Sequence, residues 1–201
     1  MPVYTDVEPI KYYYNPEWFC QSLHANLGIQ SILDVGAGHG GVFDAGYWNP
    51  KQVNKVACDM AFIRPLDPSW KVQLGVDCTK LSEHFGEKSF DMVQCLETLE
   101  HIPNNRKALE ELIRVARKIV FITSCDEGHH AGPLYDESVK HNPYNAYTGQ
   151  PKIKDLIDLG FHTHVEHFEC RQIVAWKIIG EDYRPAEYPV HTFKPFQAPK
   201  E

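Results

Sequence analysis

The chain has 201 residues, enough for one full domain with a large core and too few for two ordinary ones. Its composition is that of a soluble globular protein, 43% hydrophobic, 12% aromatic and 23% charged. Acidic residues outnumber basic ones 27 to 20, for a formal charge of −7, which argues against a strong grip on nucleic-acid phosphates. No apolar run approaches the roughly 18 residues a membrane span needs, and no secretory signal pattern opens the chain. Cysteines at 20, 58, 78, 95, 125 and 170 form no Cys-x-x-Cys pair. Cys58, Cys95 and Cys125 fall in or beside apolar runs, so they read as free thiols of a reducing, cytoplasmic setting.

In chain order, residues 1–15 are rich in Pro and Tyr and read as an irregular arm, either a lid over a cleft or an aromatic strap packed on the surface. Asn15 as N-cap and Pro16 at the first helical position start a helix that ends near Leu27, at Gly28. Residues 32–35 form a strand, a short helix follows around 42–47, and 53–58 is the second strand. Pro65 and Pro68 make the next connection irregular. The third and fourth strands are 72–76 and 90–96. Over 104–118 the stripe Leu109, Leu112, Ile113 and Ala116 predicts a helix, and 118–123 a fifth strand. A polar loop rich in His, Gly and Pro occupies 124–147. A helix over 152–159 stops at Gly160, and 161–168 with 172–179 read as a closing antiparallel pair before a Pro-rich tail from Gly180.

This alternation predicts an α/β fold, a mostly parallel sheet with right-handed crossovers. Ligands of such sheets sit at the carboxyl ends of the strands. That rule puts the loop after the first strand, Asp59, Asp77 and residues 97–101 along one edge.

The run Ile32-Leu-Asp-Val-Gly-Ala-Gly-His-Gly-Gly41 is an apolar strand breaking into a glycine loop. Gly36, Gly38 and Gly41 satisfy G-x-G-x-x-G, the dinucleotide fingerprint. A pyrophosphate, however, wants N–H donors and no nearby carboxylate, whereas Asp34 stands two residues before Gly36. S-adenosylmethionine carries an ammonium and a sulfonium instead, and suits an anionic partner better. Asp59 ends the second strand 23 residues beyond Gly36, near the spacing of about 20 expected for an acid on ribose hydroxyls. The plainer reading is a carboxylate capping the next turn. Asp77 ends the third strand, either to accept from an adenine amino group or to cap a turn.

Phe90-Asp-Met-Val, followed by Glu100-His-Ile-Pro103, completes a pattern. Together with Leu33-Asp-Val-Gly-Ala-Gly-His-Gly40, Val56-Ala-Cys-Asp59 and Gly75-Val-Asp77, it resembles the class I S-adenosylmethionine-dependent methyltransferases of small molecules. The resemblance covers roughly 29–125 and fades towards 179. It implies a Rossmann-like three-layer sandwich around a seven-stranded sheet, mostly parallel with the last strand antiparallel. One methyltransferase domain would fill 1–201, with its core at 16–179, the arm at 1–15 and a peripheral tail at 180–201. By the same resemblance Asp34, Gly36, Ala37 and Gly38 surround the methionine part of the cofactor. Asp59 with Met60 holds the ribose and Asp77 with Cys78 the adenine, while Cys95, Leu96 and Glu97 line the pocket.

Glu97, Glu100 and His101, spaced i, i+3, i+4, fall on one face of a helical turn. Two carboxylates and an imidazole suit a divalent ion, as in small-RNA 3′-end 2′-O-methyltransferases, which the motif also resembles. Such a set needs another histidine, for which His129, His130 and His141 are at hand. The other reading, and the expectation taken, is that Glu-His follows the fourth strand with no metal bound. His162, His164 and His167 read as a half-polar strand, and His24 and His84 as surface. For removal of the acceptor's proton the first candidate is His101, then His130, with Glu100 beside them. The function expected is methyl transfer to an oxygen or nitrogen of a small-molecule or sugar-like acceptor. The rivals are an NAD(P)-binding oxidoreductase, a non-catalytic domain, and a metal-assisted RNA 2′-O-methyltransferase, the last weakened by the acidic charge balance.

Overall fold

The computed structural model describes residues 27–38, 53–61, 68–125, 151–167 and 171–180. Seven strands make one sheet: β1 (Ser31–Val35), β2 (Asn54–Asp59), β3 (Trp70–Leu74), β4 (Phe90–Leu96), β5 (Ala116–Cys125), β6 (His162–His167) and β7 (Arg171–Ile178). Three helices are described, α1 (Leu81–His84), α2 (Asn105–Val115) and α3 (Ile153–Asp158), with 3-10 turns at Cys78–Lys80 and Leu99–His101. The strand order is β3-β2-β1-β4-β5-β7-β6. β1 to β5 pair in parallel, and β7 runs antiparallel to both β5 and β6. The expected α/β sheet of seven strands with the last one reversed is therefore present.

All residues of β1 and β4 are buried, as expected for central parallel strands covered on both faces. Side chains alternate between the faces. Leu33, Val35, Val93, Cys95, Val120 and Ile122 pack on one side with Leu109 and Leu112 of α2. Ile32, Met92, Ile119, Phe121 and Val174 form the core of the other side, with Leu27 at its margin. The Asn104 side chain caps α2, accepting from the Lys107 N–H at 3.2 Å, so the helix begins where its sequence signal lies.

Two boundaries differ from the sequence expectation. β3 begins at Trp70 and ends at Leu74 rather than running over 72–76. Gly75 has φ +75°, which ends the strand, and the Val76 N–H then donates to Asp59 O while its side chain turns into the core. Trp70 is drawn into the sheet because its ring is buried, with the Lys55 ammonium 5.2 Å over it. The helix expected over 104–118 stops at Val115, and Ala116 is already extended, at φ −79° and ψ 136°. Arg117 and Lys118 there meet the buried Asp91, at 2.8 and 3.5 Å, so the last predicted helical turn is the start of β5. The short α1 has no counterpart in the sequence reading.

The expected helix at 15–27 is described only at Leu27, followed by Gly28 at φ +56°. The arm, the helix at 42–47, the loop from 126 to 147 with His129, His130 and His141, and the tail lie outside the described residues. Cys58, Cys78 and Cys95 are buried free thiols. No described helix is long and apolar enough to cross a membrane.

Candidate functional site

At the carboxyl end of β1 the chain leaves the sheet through Gly36, at φ +71°. The Gly36 and Ala37 N–H groups both donate to Cys58 O, at 2.9 and 3.1 Å, which folds the loop over the end of β2. A Cβ on Gly36 would stand 2.2 Å from Thr98 Cγ2, so only glycine fits. Thr98 in turn donates through Oγ1 to the carbonyls of Gly36 (3.1 Å) and Leu96 (3.0 Å). That contact joins the exit of β4 to the glycine loop, although Thr98 stood out in no motif.

Asp59 closes the loop from β2. Its Oδ2 accepts from the Gly38 N–H and its Oδ1 from the Ala61 N–H, both at 3.0 Å. Met60, beside it, is exposed. Asp77 acts as a cap: its Oδ1 accepts from the Thr79 N–H and Oγ1, starting the 3-10 turn that buries Cys78. Burial, and then the Asp77 charge, push the Cys78 thiol up to about 12, so it stays protonated. Cys95 and Leu96 are buried. Cys95 points into the core under α2, and Leu96 to the opposite face.

Asp34 is 4% exposed, and no cation pairs with it among the described residues. Burial raises its pKa to about 7, an effect that the amide of Gln94 offsets in part and the charge of Asp59 strengthens. Gln94 was not among the sequence candidates. Its signal was available, since it interrupts the apolar run of β4 as Asp34 interrupts β1, and the two are register partners.

Past β4, Glu97 takes φ +48°, a left-handed conformation that a non-glycine residue adopts at a cost, and its N–H donates to Thr123 O at 2.9 Å. This bend leads into the turn Leu99–His101. Glu100 is buried there and accepts from Ser124 Oγ at 2.9 Å. Burial, then the charge of Glu97, raise its pKa to about 8. His101 is half-buried at the end of the same turn. No three His, Cys, Asp or Glu side chains among the described residues are grouped to hold a metal ion.

The sheet edge thus collects a glycine loop, the buried carboxyl group of Asp34 and, in the turn after Thr98, Glu100 and His101. Residues 33–122 match the model of a family described as a methyltransferase domain. The chain carries a methyltransferase domain over those residues, on the fold of the class I S-adenosylmethionine-dependent methyltransferases. This methyltransferase is 24% identical to the ubiquinone biosynthesis O-methyltransferase of Dechloromonas aromatica, in an alignment covering 90% of this chain and 77% of that protein. It is 25% identical to the enzyme of the same name from Pseudomonas syringae pv. tomato, over 80% of this chain and 72% of that one. Its fold is like that of the trans-methyltransferase CalH, solved with SAH (TM-score 0.59, 13% identity), over 82% of this chain and 55% of that one. The YcgJ protein of Bacillus subtilis is also similar in fold (TM-score 0.55, 13% identity), over 86% of this chain and 99% of that one. The methyltransferase thus spans little more than half of the CalH chain. The oxidoreductase alternative falls with the family match.

S-adenosylmethionine is the cofactor of this methyltransferase. The residues present suit it: a buried carboxyl group, Asp34, at the glycine loop fits a ligand that carries two positive charges.

Proposed function

We propose that the enzyme transfers a methyl group to a hydroxyl oxygen of a small molecule. The observation that carries this reading is the Thr98 link, which holds Glu100 and His101 one turn from the glycine loop of the cofactor. When bound, S-adenosylmethionine supplies a methyl on a sulfonium, a leaving group that is already activated. The protein's share is alignment, exclusion of water and removal of the acceptor's proton. In this reading Asp34, Gly36, Ala37 and Gly38 meet the methionine part, Asp59 and Met60 the ribose, and Asp77 and Cys78 the adenine. Leu96 and Glu97 border the pocket. His101 takes the acceptor's proton, and the Glu100 carboxyl, held by Ser124, sets the charge beside it.

The O-methyltransferase names of the relatives favour oxygen over nitrogen as the acceptor atom. We infer further that 1–201 form one methyltransferase domain, with its core at 16–179, and that it works in the cytoplasm, which the free buried thiols favour. The test is a transfer assay with radiolabelled S-adenosylmethionine against phenols, sugars and short RNAs, each with Mg²⁺ and with EDTA. Label on a hydroxyl of a small molecule supports the reading. Label on RNA 2′-oxygens that vanishes with EDTA replaces it with the metal-assisted RNA reading.

A further inference from the structure

Gln94 is fully buried in the middle of β4, with Asp34 as its register partner on β1 and Phe121 on β5. All three side chains lie on one face of the sheet, because register partners share a face. Neither amide atom of Gln94 closes a hydrogen bond among the described residues, although the amide lies near enough to Asp34 to favour its charged form. A buried amide left in that state is destabilising, and a Leu or Met of similar volume would pack against Phe121 without that penalty. A polar group kept at such a cost in a buried strand points to a task at the site. The charged side chain that acts on Asp34 is Asp59, from the end of β2. It opposes ionisation, and the Cys58 thiol supplies no positive charge. The donor on the other side is Gln94.

We propose that Gln94 is a positioning residue of the cofactor site, its amide N–H closing on the Asp34 carboxylate and aiming it at the ammonium group of the cofactor. This rests on the reading of Asp34 given above. The amide then completes its own hydrogen bonding and keeps Asp34 anionic at neutral pH, when burial and Asp59 both work the other way. It touches neither the methyl group nor the acceptor.

The test is calorimetric titration of the full chain with S-adenosylhomocysteine and with 5′-methylthioadenosine, which keeps the nucleoside and the thioether but lacks the ammonium. Wild type, Gln94→Leu and Gln94→Glu are compared at pH 6.5 and 8.5. Gln94→Leu is expected to lose about 10-fold in affinity for S-adenosylhomocysteine at pH 6.5, and less at pH 8.5 where Asp34 ionises unaided. Its affinity for 5′-methylthioadenosine stays at the wild-type value. Gln94→Glu, close in shape but adding a second carboxyl, loses more at pH 6.5, and it carries the comparison if Gln94→Leu does not fold. Equal losses for both ligands would reduce Gln94 to a packing role, and unchanged affinities would remove it from the site. Wild type binding both ligands equally would instead sink the reading of Asp34, and the proposal with it.

Discussion

Asp34 and Glu100 are both buried carboxyl groups with raised pKa values, yet their neighbours prepare them for different work. Asp34 sits beneath the glycine loop with an amide beside it, suited to meeting a fixed positive charge. The pKa of Glu100 is raised to about 8 by burial and then by the charge of Glu97, against the Ser124 hydroxyl on one oxygen, so the group titrates near neutral pH. In the proposed mechanism kcat/KM therefore rises with pH as Glu100 ionises, with a limb near 8. Glu100→Gln is expected to flatten that limb and to lower turnover by about 10-fold or more, as pH–rate profiles of the two proteins will show. His101→Ala is expected to cost about 10²-fold in turnover while S-adenosylhomocysteine still binds, as read by calorimetry beside the transfer assay. Unchanged turnover in that variant would exclude His101 as the base.

Between elements, the site is held by contacts that cross from one strand exit to the next. Gly36 leans on β2 through Cys58 O and on the β4 exit through Thr98, and Asp59 grips Gly38 from the side. Gly36→Ala puts a Cβ into Thr98 and a non-glycine residue at φ +71°. It is expected to destabilise the fold by about 2 kcal/mol or more, read as a lower urea midpoint, and to abolish tight S-adenosylhomocysteine binding. A variant that binds and unfolds like wild type would show that the loop yields. At the opposite end of the sheet Asp91 ties three elements: it accepts from the Gln30 N–H at 2.8 Å and pairs with Arg117 and Lys118, whose ammonium also reaches Leu27 O and Gly28 O. That anchor sets where β5 begins, and through it the register that brings Ser124 to Glu100.

Across the whole molecule the buried acids pull the pH dependence of stability in opposite directions. For Asp91 and Glu111 burial is outweighed, respectively by the Gln30 N–H with Lys118 and Arg117, and by Ser82 with Arg114 and Lys107, so both pKa values fall. Their stabilisation is present above the unfolded values of 3.8 and 4.5 and is lost as pH drops through the lowered folded values. Asp34 and Glu100 have raised values, so the folded state binds the extra protons and stability declines as pH rises from their unfolded values to about 7 and about 8. His162, lowered first by burial and then by Lys177, works against that decline as it deprotonates. Urea midpoints of the protein without cofactor are expected to fall between pH 5 and 8, and to fall less steeply in Glu100→Gln. An identical slope in the two proteins would contradict the burial of Glu100 as a charge-disfavouring site.

Much of this was legible in the chain because it is local. The apolar runs at 32–35 and 90–96, the Asn104 cap, the glycines after β1 and the carboxylates at 59 and 77 each announce themselves within a few residues. Together they pointed to the α/β class and to the methyltransferase resemblance, while the reversed last strand was read from the runs at 161–168 and 172–179. What only the tertiary structure decided depends on groups distant in sequence. Whether residues 116–118 end a helix or begin a strand turns on a buried carboxylate some 25 residues earlier, at Asp91. That Asp77 caps a turn with one carboxylate oxygen shows only in its bonds to Thr79. Gln94 and Thr98 gain their meaning from β1, about 60 residues away, through strand pairing and one hydroxyl contact. Burial raises the pKa of Asp34 and Glu100 only once the sheet has closed over them, because desolvation belongs to the packed molecule and not to the residue.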